Sequence, residues 1–321
     1  MAQQTHFSDR LLNEVRRKGT AACVGFDPVL DKLPSDVRRS CGVGRVTAQA
    51  PATCVDSTAA AGAFLAFGKG VIDAVADQVA VIKINIAFFE PLYAEGIRVY
   101  HELVGEARKA GLVVIGDVKR ADIGHTTAQY AEAQLGGSET NSPMFLSTPD
   151  AVTVNPYFGI DGVQPFIDRA RSIGRGLFVL VQTSNESAAE VQGLPLADGS
   201  IVSDQVAVLV NRWANEPSLI GNSGYSCIGA VVSPRDVEST RRIRAAMPQS
   251  IFLVPGFGAQ GRTAEEVAVC FKADGTGAIV NASRSVLYAF DSPKYRGKGV
   301  DWKSCITKSC RDFVDDLKRI A

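Results

Sequence analysis

The 321-residue chain has no excess of either charge, because 34 lysines and arginines balance 34 aspartates and glutamates. It also lacks any basic run interleaved with aromatics, so no nucleic acid or other polyanion is expected as a partner. No apolar stretch approaches the roughly 18 residues that a spanning helix requires, which argues against a membrane protein. The opening residues, MAQQTHFSDR, lack the basic start and apolar core of a secretion signal. A cytoplasmic protein is the expectation. Cysteine is present without organisation. Cys23, Cys41, Cys54, Cys227, Cys270, Cys305 and Cys310 are odd in number and show no paired metal-ligand spacing, so reduced thiols are expected. His6, His101 and His125 are dispersed, and no Ser or Cys has a histidine and an acid at convincing spacing for nucleophilic catalysis. With no internal repeat and no linker, residues 1–321 read as one domain.

What the chain does contain is a series of short apolar runs. Ser8 or Asp9 can cap a first helix carrying Leu11, Leu12 and Val15, and Gly19 ends it. Strands are then predicted at 20–24, 79–84, 112–115, 151–156, 177–183, 227–232, 251–254 and 278–281. These runs are continuous rather than alternating, as parallel strands buried on both faces require. Between most of them lie stretches of helical period, such as Val163, Phe166, Ile167 and Ala170, and Trp302 to Ile320 forms a closing helix. Eight strands, each followed by a helix, describe an α/β protein of the (β/α)8 TIM-barrel class. An open doubly wound sheet is the alternative. Residues 40–62 and 136–150 do not fit a minimal barrel and read as loop insertions.

The densest chemistry is Val114-Ile-Gly-Asp117-Val-Lys119-Arg-Ala-Asp122-Ile-Gly-His125-Thr126-Thr127. Residues two apart share a face of a strand, so Asp117 and Lys119 should project side by side, with Asp122 in the loop beyond. In a barrel the active site collects at the C-terminal strand ends. Reading those ends gives Asp27, Lys83, Asp117, Lys119, Asn155, Ser184, Gln260 and Arg284, although turn chemistry is the default for Asn155 before Pro156. Pro255-Gly-Phe-Gly-Ala-Gln-Gly261 matches a dinucleotide fingerprint, but it follows the seventh strand, and Val280-Asn281 stands where an acid belongs. A phosphate loop fits better, with Gly256, Gly258 and Gly261 letting the backbone approach an anion and Arg284 supplying a bidentate partner. Asp117 and Asp122 could hold Mg²⁺, but Lys119 between them already supplies positive charge, so no metal is expected.

These residues together resemble the orotidine 5′-phosphate decarboxylase family. Asp117-Val-Lys119-Arg-Ala-Asp122 is similar to its D-x-K-x-x-D signature. Supporting stretches run in order along nearly the whole chain: Val24-Gly-Phe-Asp27-Pro, Lys83 to Glu90, Val154-Asn-Pro-Tyr-Phe-Gly159, Gln182-Thr-Ser-Asn185, Pro255 to Gly261 and Ser283-Arg284. The Ala-Phe-Phe-Glu and Asn-Pro-Tyr pieces look most like a branch found in many bacteria. The resemblance implies a cofactor-free conversion of orotidine monophosphate to UMP and CO2, in a homodimer with active sites at the subunit interface. It implies that Lys83, Asp117 and Lys119 act with Asp122 of the other subunit as an alternating charge array. Asp27 and Lys83 would face the ribose hydroxyls, with Asp122 and Thr126 reaching across; Ser184 would contact the pyrimidine; Gln260 and Arg284 would hold the phosphate. Three features depart from the family pattern: His125, Arg262 and the long first connection. Two other readings compete. One is an Mg²⁺-dependent 3-keto-gulonate-phosphate decarboxylase or hexulose-phosphate synthase, and the other a non-catalytic nucleotide-binding barrel.

Overall fold

Eight apolar runs become eight strands in this computed structural model, which describes residues 5–44, 56–136, 146–256 and 264–320. Helix α1 (Phe7–Lys18) precedes β1 (Ala22–Phe26), and two helices follow, α2 (Ser35–Ser40) and α3 (Ser57–Val75). Then come β2 (Val81–Asn85), α4 (Tyr93–Lys109), β3 (Val113–Arg120), α5 (Gly124–Leu135), β4 (Ala151–Val154) and α6 (Ile160–Ser172). Next are β5 (Gly176–Gln182), α7 (Ala189–Gln192), α8 (Val202–Ala214), β6 (Ile228–Val232) and α9 (Val237–Ala246). The chain finishes with β7 (Phe252–Val254), α10 (Ala264–Ala268), β8 (Ala278–Ala282), α11 (Arg284–Leu287) and α12 (Trp302–Leu317).

Each strand pairs in parallel with the next, and β8 returns to β1, so the sheet closes as a (β/α)8 barrel. An open sheet is thereby excluded. The strand bodies are buried on both sides, and each fully buried Val or Ile in them contributes roughly 1.5–3 kcal/mol. The helices turn the expected apolar stripes inward: Leu103, Val104 and Ala107 of α4, and Val163, Phe166, Ile167 and Ala170 of α6, are buried.

Four local expectations need correction. Ser8 and Asp9 lie within α1 and do not cap it; the N-cap is His6. Both are engaged by the 222–225 segment instead: Ser8 Oγ donates to the Tyr225 carbonyl, and Asp9 accepts from the backbone N–H groups of Asn222 and Ser223. Gly19 does end the helix, in the left-handed conformation. The 40–62 insertion is shorter than expected at its far end, because Asp56 accepts from Thr58 N–H and residues 57–62 form the first turns of α3. By length and composition α3 could cross a bilayer, contrary to the reading of the sequence. It opens on small residues, chiefly alanine, and continues through Phe64, Leu65, Phe67, Val71 and Ile72, with Lys69 and Asp73 its only charged residues. In the fold it packs against α4 and α12, and 56% of its apolar window is buried. Finally, β3 runs to Arg120, past the expected end at Ile115, and it does so through an irregularity that shapes the site.

Candidate active site

The site begins with a lysine in an otherwise apolar strand. Lys83 lies between Ile82 and Ile84 in β2 and is only 7% exposed. A buried ammonium requires a partner. Its Nζ lies 2.7 Å from Asp117 Oδ2 and 3.9 Å from Asp27 Oδ1. The other oxygen of Asp117 receives Lys119 Nζ at 2.5 Å and the Thr153 hydroxyl at 2.9 Å. The charges therefore alternate in space as Asp27, Lys83, Asp117, Lys119. Burial alone would raise the Asp117 carboxyl, but Lys83 and Lys119 beside it hold it far below the usual carboxylate range. Burial would likewise lower Lys83, and Asp117 and Asp27 outweigh it and hold the ammonium above its ordinary value.

Strand β3 achieves this with a bulge. Gly116 pairs with Val152 and Arg120 with Val154, so Asp117, Val118 and Lys119 stand opposite Thr153 alone. Lys119 adopts φ +46°, a left-handed conformation rare for a residue with a side chain. Its backbone is turned while its side chain stays half exposed. The two-residue spacing alone would have placed it regularly; the bulge re-aims it.

These side chains wall a cavity of about 420 Å³ at the C-terminal ends of the strands. Of the residues expected at the site, Asp27, Lys83, Asp117, Lys119, Ser184, Gly256 and Arg284 line it. Gly256 has φ +87°, which suits glycine. Gly258, Gln260, Gly261 and Arg262 lie outside the described residues. Asn155 does not line the cavity; its side chain accepts from Tyr157 N–H, an ordinary turn contact. Asp122 and Thr126 also stand outside the cavity wall. Asp122 Oδ1 accepts the Ile123 N–H, and Thr126 is exposed at the start of α5. Exposed apolar residues lie near Asp122: Ile123 follows it in the chain, the Asp122 carbonyl and Phe158 both approach Gly162, and Tyr157 packs edge-on against Phe158, with Ile160 also exposed two residues further on.

Several cavity residues escaped the sequence reading. Tyr288 fixes the Asp27 loop: its hydroxyl donates to the Asp27 carbonyl and accepts the Val29 N–H. Asn281 closes the floor between β8 and β1, donating to Ser283 Oγ and receiving the Cys23 thiol on its Oδ1. A polar residue at the end of a strand was the available signal for Asn281. Gly25 lets this floor close, since a Cβ there would lie 1.9 Å from Ser283 Oγ. Cys23 is no nucleophile, because burial pushes its thiol up to about 12. Lys32, Asn85 and Thr153 also line the cavity. Thr153 gave no signal, being a good β-former inside an apolar run.

The sequence model of the orotidine 5′-phosphate decarboxylase / HUMPS family matches residues 69–296. An orotidine 5′-phosphate decarboxylase of Rhodopirellula baltica is 41% identical over 314 residues, covering 97% of this chain and 99% of that protein. One from Caldicellulosiruptor bescii is 35% identical over 287 residues, covering 89% of this chain and 90% of the relative. Among solved structures, Leishmania donovani OMP decarboxylase superposes with a TM-score of 0.69 at 26% identity, covering 98% of this chain and 99% of that one. The motif in β3, the closed barrel and these likenesses over nearly the full length agree, and the chain belongs to the orotidine 5′-phosphate decarboxylase family.

Proposed function

We propose that the cavity binds orotidine monophosphate and converts it to UMP and CO2. The observation that carries this reading is the alternation of Asp27, Lys83, Asp117 and Lys119 along one cavity wall, with Lys83 and Asp117 buried at its centre. Breaking the C6–carboxylate bond releases CO2 and leaves its electron pair on C6, in the plane of the pyrimidine, where the ring cannot delocalise it. A fixed cation facing that carbon stabilises the developing charge without reorganising. Lys119 is that cation, and its ammonium proton then goes to C6 to give UMP. Asp117 holds it in place, and Lys83 anchors Asp117 from the other side. Two unit charges about 4 Å apart at an effective dielectric of about 20 interact by about 4 kcal/mol. Very slow reactions need barrier reductions beyond about 20 kcal/mol, so contacts remote from C6 must contribute as well, binding of the phosphate foremost among them. Arg284, with Gly256, Gly258, Gln260 and Gly261, is assigned to that phosphate. Asp27 and Lys83 are assigned to the ribose hydroxyls and Ser184 to the pyrimidine.

Asp122 and Thr126 complete the site from a second copy of the chain. Their place outside the cavity wall, beside the exposed Ile123, Tyr157, Phe158 and Ile160, supports a homodimer that shares its two sites across this face. We read the chain as a single barrel domain acting in the cytoplasm, with no membrane or nucleic-acid partner. An Mg²⁺-dependent relative would need open carboxylate oxygens. Here both oxygens of Asp117 already face ammonium groups, which would repel a divalent cation. The test is a spectrophotometric assay with orotidine monophosphate, with and without EDTA. Turnover unaffected by EDTA is expected; turnover abolished by EDTA and restored by Mg²⁺ would replace this reading with the metal-dependent one. Tight UMP binding with no turnover would instead point to a non-catalytic barrel.

A further inference from the structure

The β3 bulge leaves two backbone N–H groups without a carbonyl partner, and one side chain takes both. Thr153 Oγ1 accepts from Val118 N–H at 2.9 Å and from Lys119 N–H at 3.0 Å. A hydroxyl has one proton and two acceptor positions. With both acceptor positions filled, its proton is directed to Asp117 Oδ1, 2.9 Å away. Thr153 is 1% exposed, and it is the single β4 residue opposite Asp117, Val118 and Lys119. Asp117 Oδ1 is also the atom against which the Lys119 ammonium rests. One hydroxyl thus sets the orientation of the carboxylate, the backbone of the lysine and, through the carboxylate, the lysine's charged end.

We propose that Thr153 is a positioning residue for decarboxylation, holding Asp117 and Lys119 in their reactive arrangement. The inference rests on the reading that Lys119 stabilises and protonates C6. Valine fits the same space but supplies neither acceptor nor donor. It would leave two buried N–H groups orphaned and free Asp117 to rotate. Thr153 stands on the opposite side of Asp117 from Lys83, and no phosphate or ribose contact is assigned to it. Its loss therefore falls on the chemical step, whereas a purely structural role would lower the folded fraction and leave the folded molecules active.

The experiment compares kcat, KM and thermal midpoint for Thr153→Val, Thr153→Ser and Lys119→Ala. Thr153→Val is expected to lose about 10- to 100-fold in kcat with KM within about threefold of the parent, the scale of a hydrogen bond to a charged group. Thr153→Ser, which keeps the hydroxyl, is expected to recover most of that loss. A loss below tenfold in Thr153→Val, an equal loss in Thr153→Ser, or a change confined to KM would overturn the proposal. If Thr153→Val does not fold, Thr153→Cys decides, since a thiol keeps the size but is a weak donor and acceptor. There a kcat loss above threefold supports the proposal, and a smaller one overturns it. Lys119→Ala separates the two levels: its retained turnover would remove the underlying reading, whereas its inactivity beside a parent-like Thr153→Val would remove the role of Thr153 alone.

Discussion

Two buried aspartates lie at opposite ends of the β3–β4 seam, and each is surrounded by cations. Asp117 lies at the C-terminal end, between Lys83 and Lys119. Asp150 lies at the N-terminal end, where Oδ1 meets Arg10 at 3.0 Å, Arg175, and Arg108 at 3.8 Å, while Oδ2 accepts the Val114 N–H. The difference is in the cations. Arg10 also donates to the carbonyls of Thr5 and Gly174, so its planar fork is fastened on several sides. The lysines keep donor capacity that faces the cavity. The lower cluster is closed upon itself and holds the barrel together. The upper one is left incomplete for a substrate to finish, in line with the division of labour between the two faces of such barrels.

The sharpest way to break this contrast is to remove one member from each end. Lys119→Ala should lower kcat by at least ~10³-fold, the combined scale of a lost proton donor and a lost electrostatic contact. Its side chain is half exposed, so the melting temperature should barely move, and calorimetric titration should still detect UMP binding. Near-normal turnover would remove Lys119 from the chemistry. Asp150→Ala should do the reverse. Uncovering the guanidinium cluster is expected to cost about 3–5 kcal/mol of stability in denaturant titration, while kcat per folded molecule stays at the parent value. A large fall in kcat at unchanged stability would erase the distinction between the two ends.

The upper end is also the one expected to need a second copy of the chain. Lys119→Ala and Asp122→Ala subunits, each inactive alone, should regain up to about a quarter of parental activity when mixed, because half of the random dimers carry one intact site. No recovery in verified mixed dimers would return Asp122 to the site of its own subunit.

The smallest expected effect concerns pH. At the upper end, Asp117 is held far below and Lys83 above its ordinary value, so neither of these two groups titrates near neutrality. Towards the lower end, burial depresses His101, whose Nδ1 donates to the Ser147 carbonyl. The unfolded chain therefore takes up a proton near pH 6.5 while the folded chain does not, and stability falls as pH drops below that value. Burial acts on His6 in the same direction. His101→Gln should flatten the dependence of thermal midpoint on pH between about 6.5 and 5, and an unchanged slope would place the acid sensitivity elsewhere.

Much of this was legible in the sequence, for identifiable reasons. Parallel strands buried on both faces must be apolar throughout, so all eight announced themselves. The polar residues that end those strands, Asp27, Lys83, Asp117, Ser184 and Arg284, stood out against that background and do converge. The bulge did not show, because nothing in Gly116-Asp-Val-Lys119 distinguishes a regular strand from one that steps out of register. Thr153 and Tyr288 were missed for a related reason: both act through the backbone of other segments, and such contacts exist only once the barrel has closed. The apolar character of α3 was obscured by its small residues, which read as a decorated loop until Asp56 capped them into a helix.

The bulge in β3 has a consequence for how such a barrel can change. Below it, Val113 to Gly116 keep their partners on β2, and the β3–β4 pairing resumes at Arg120. The reacting segment is therefore an insertion on one side only: the β3–β4 pairing shifts by two residues across it, while the pairing of β3 with β2 runs through Asp117 unbroken. Substitutions at 117–119 can alter what the cavity is offered while the alignment of the neighbouring strands persists. A fold arranged in this way can exchange one chemistry for another by rewriting a few residues, without having to learn to close again.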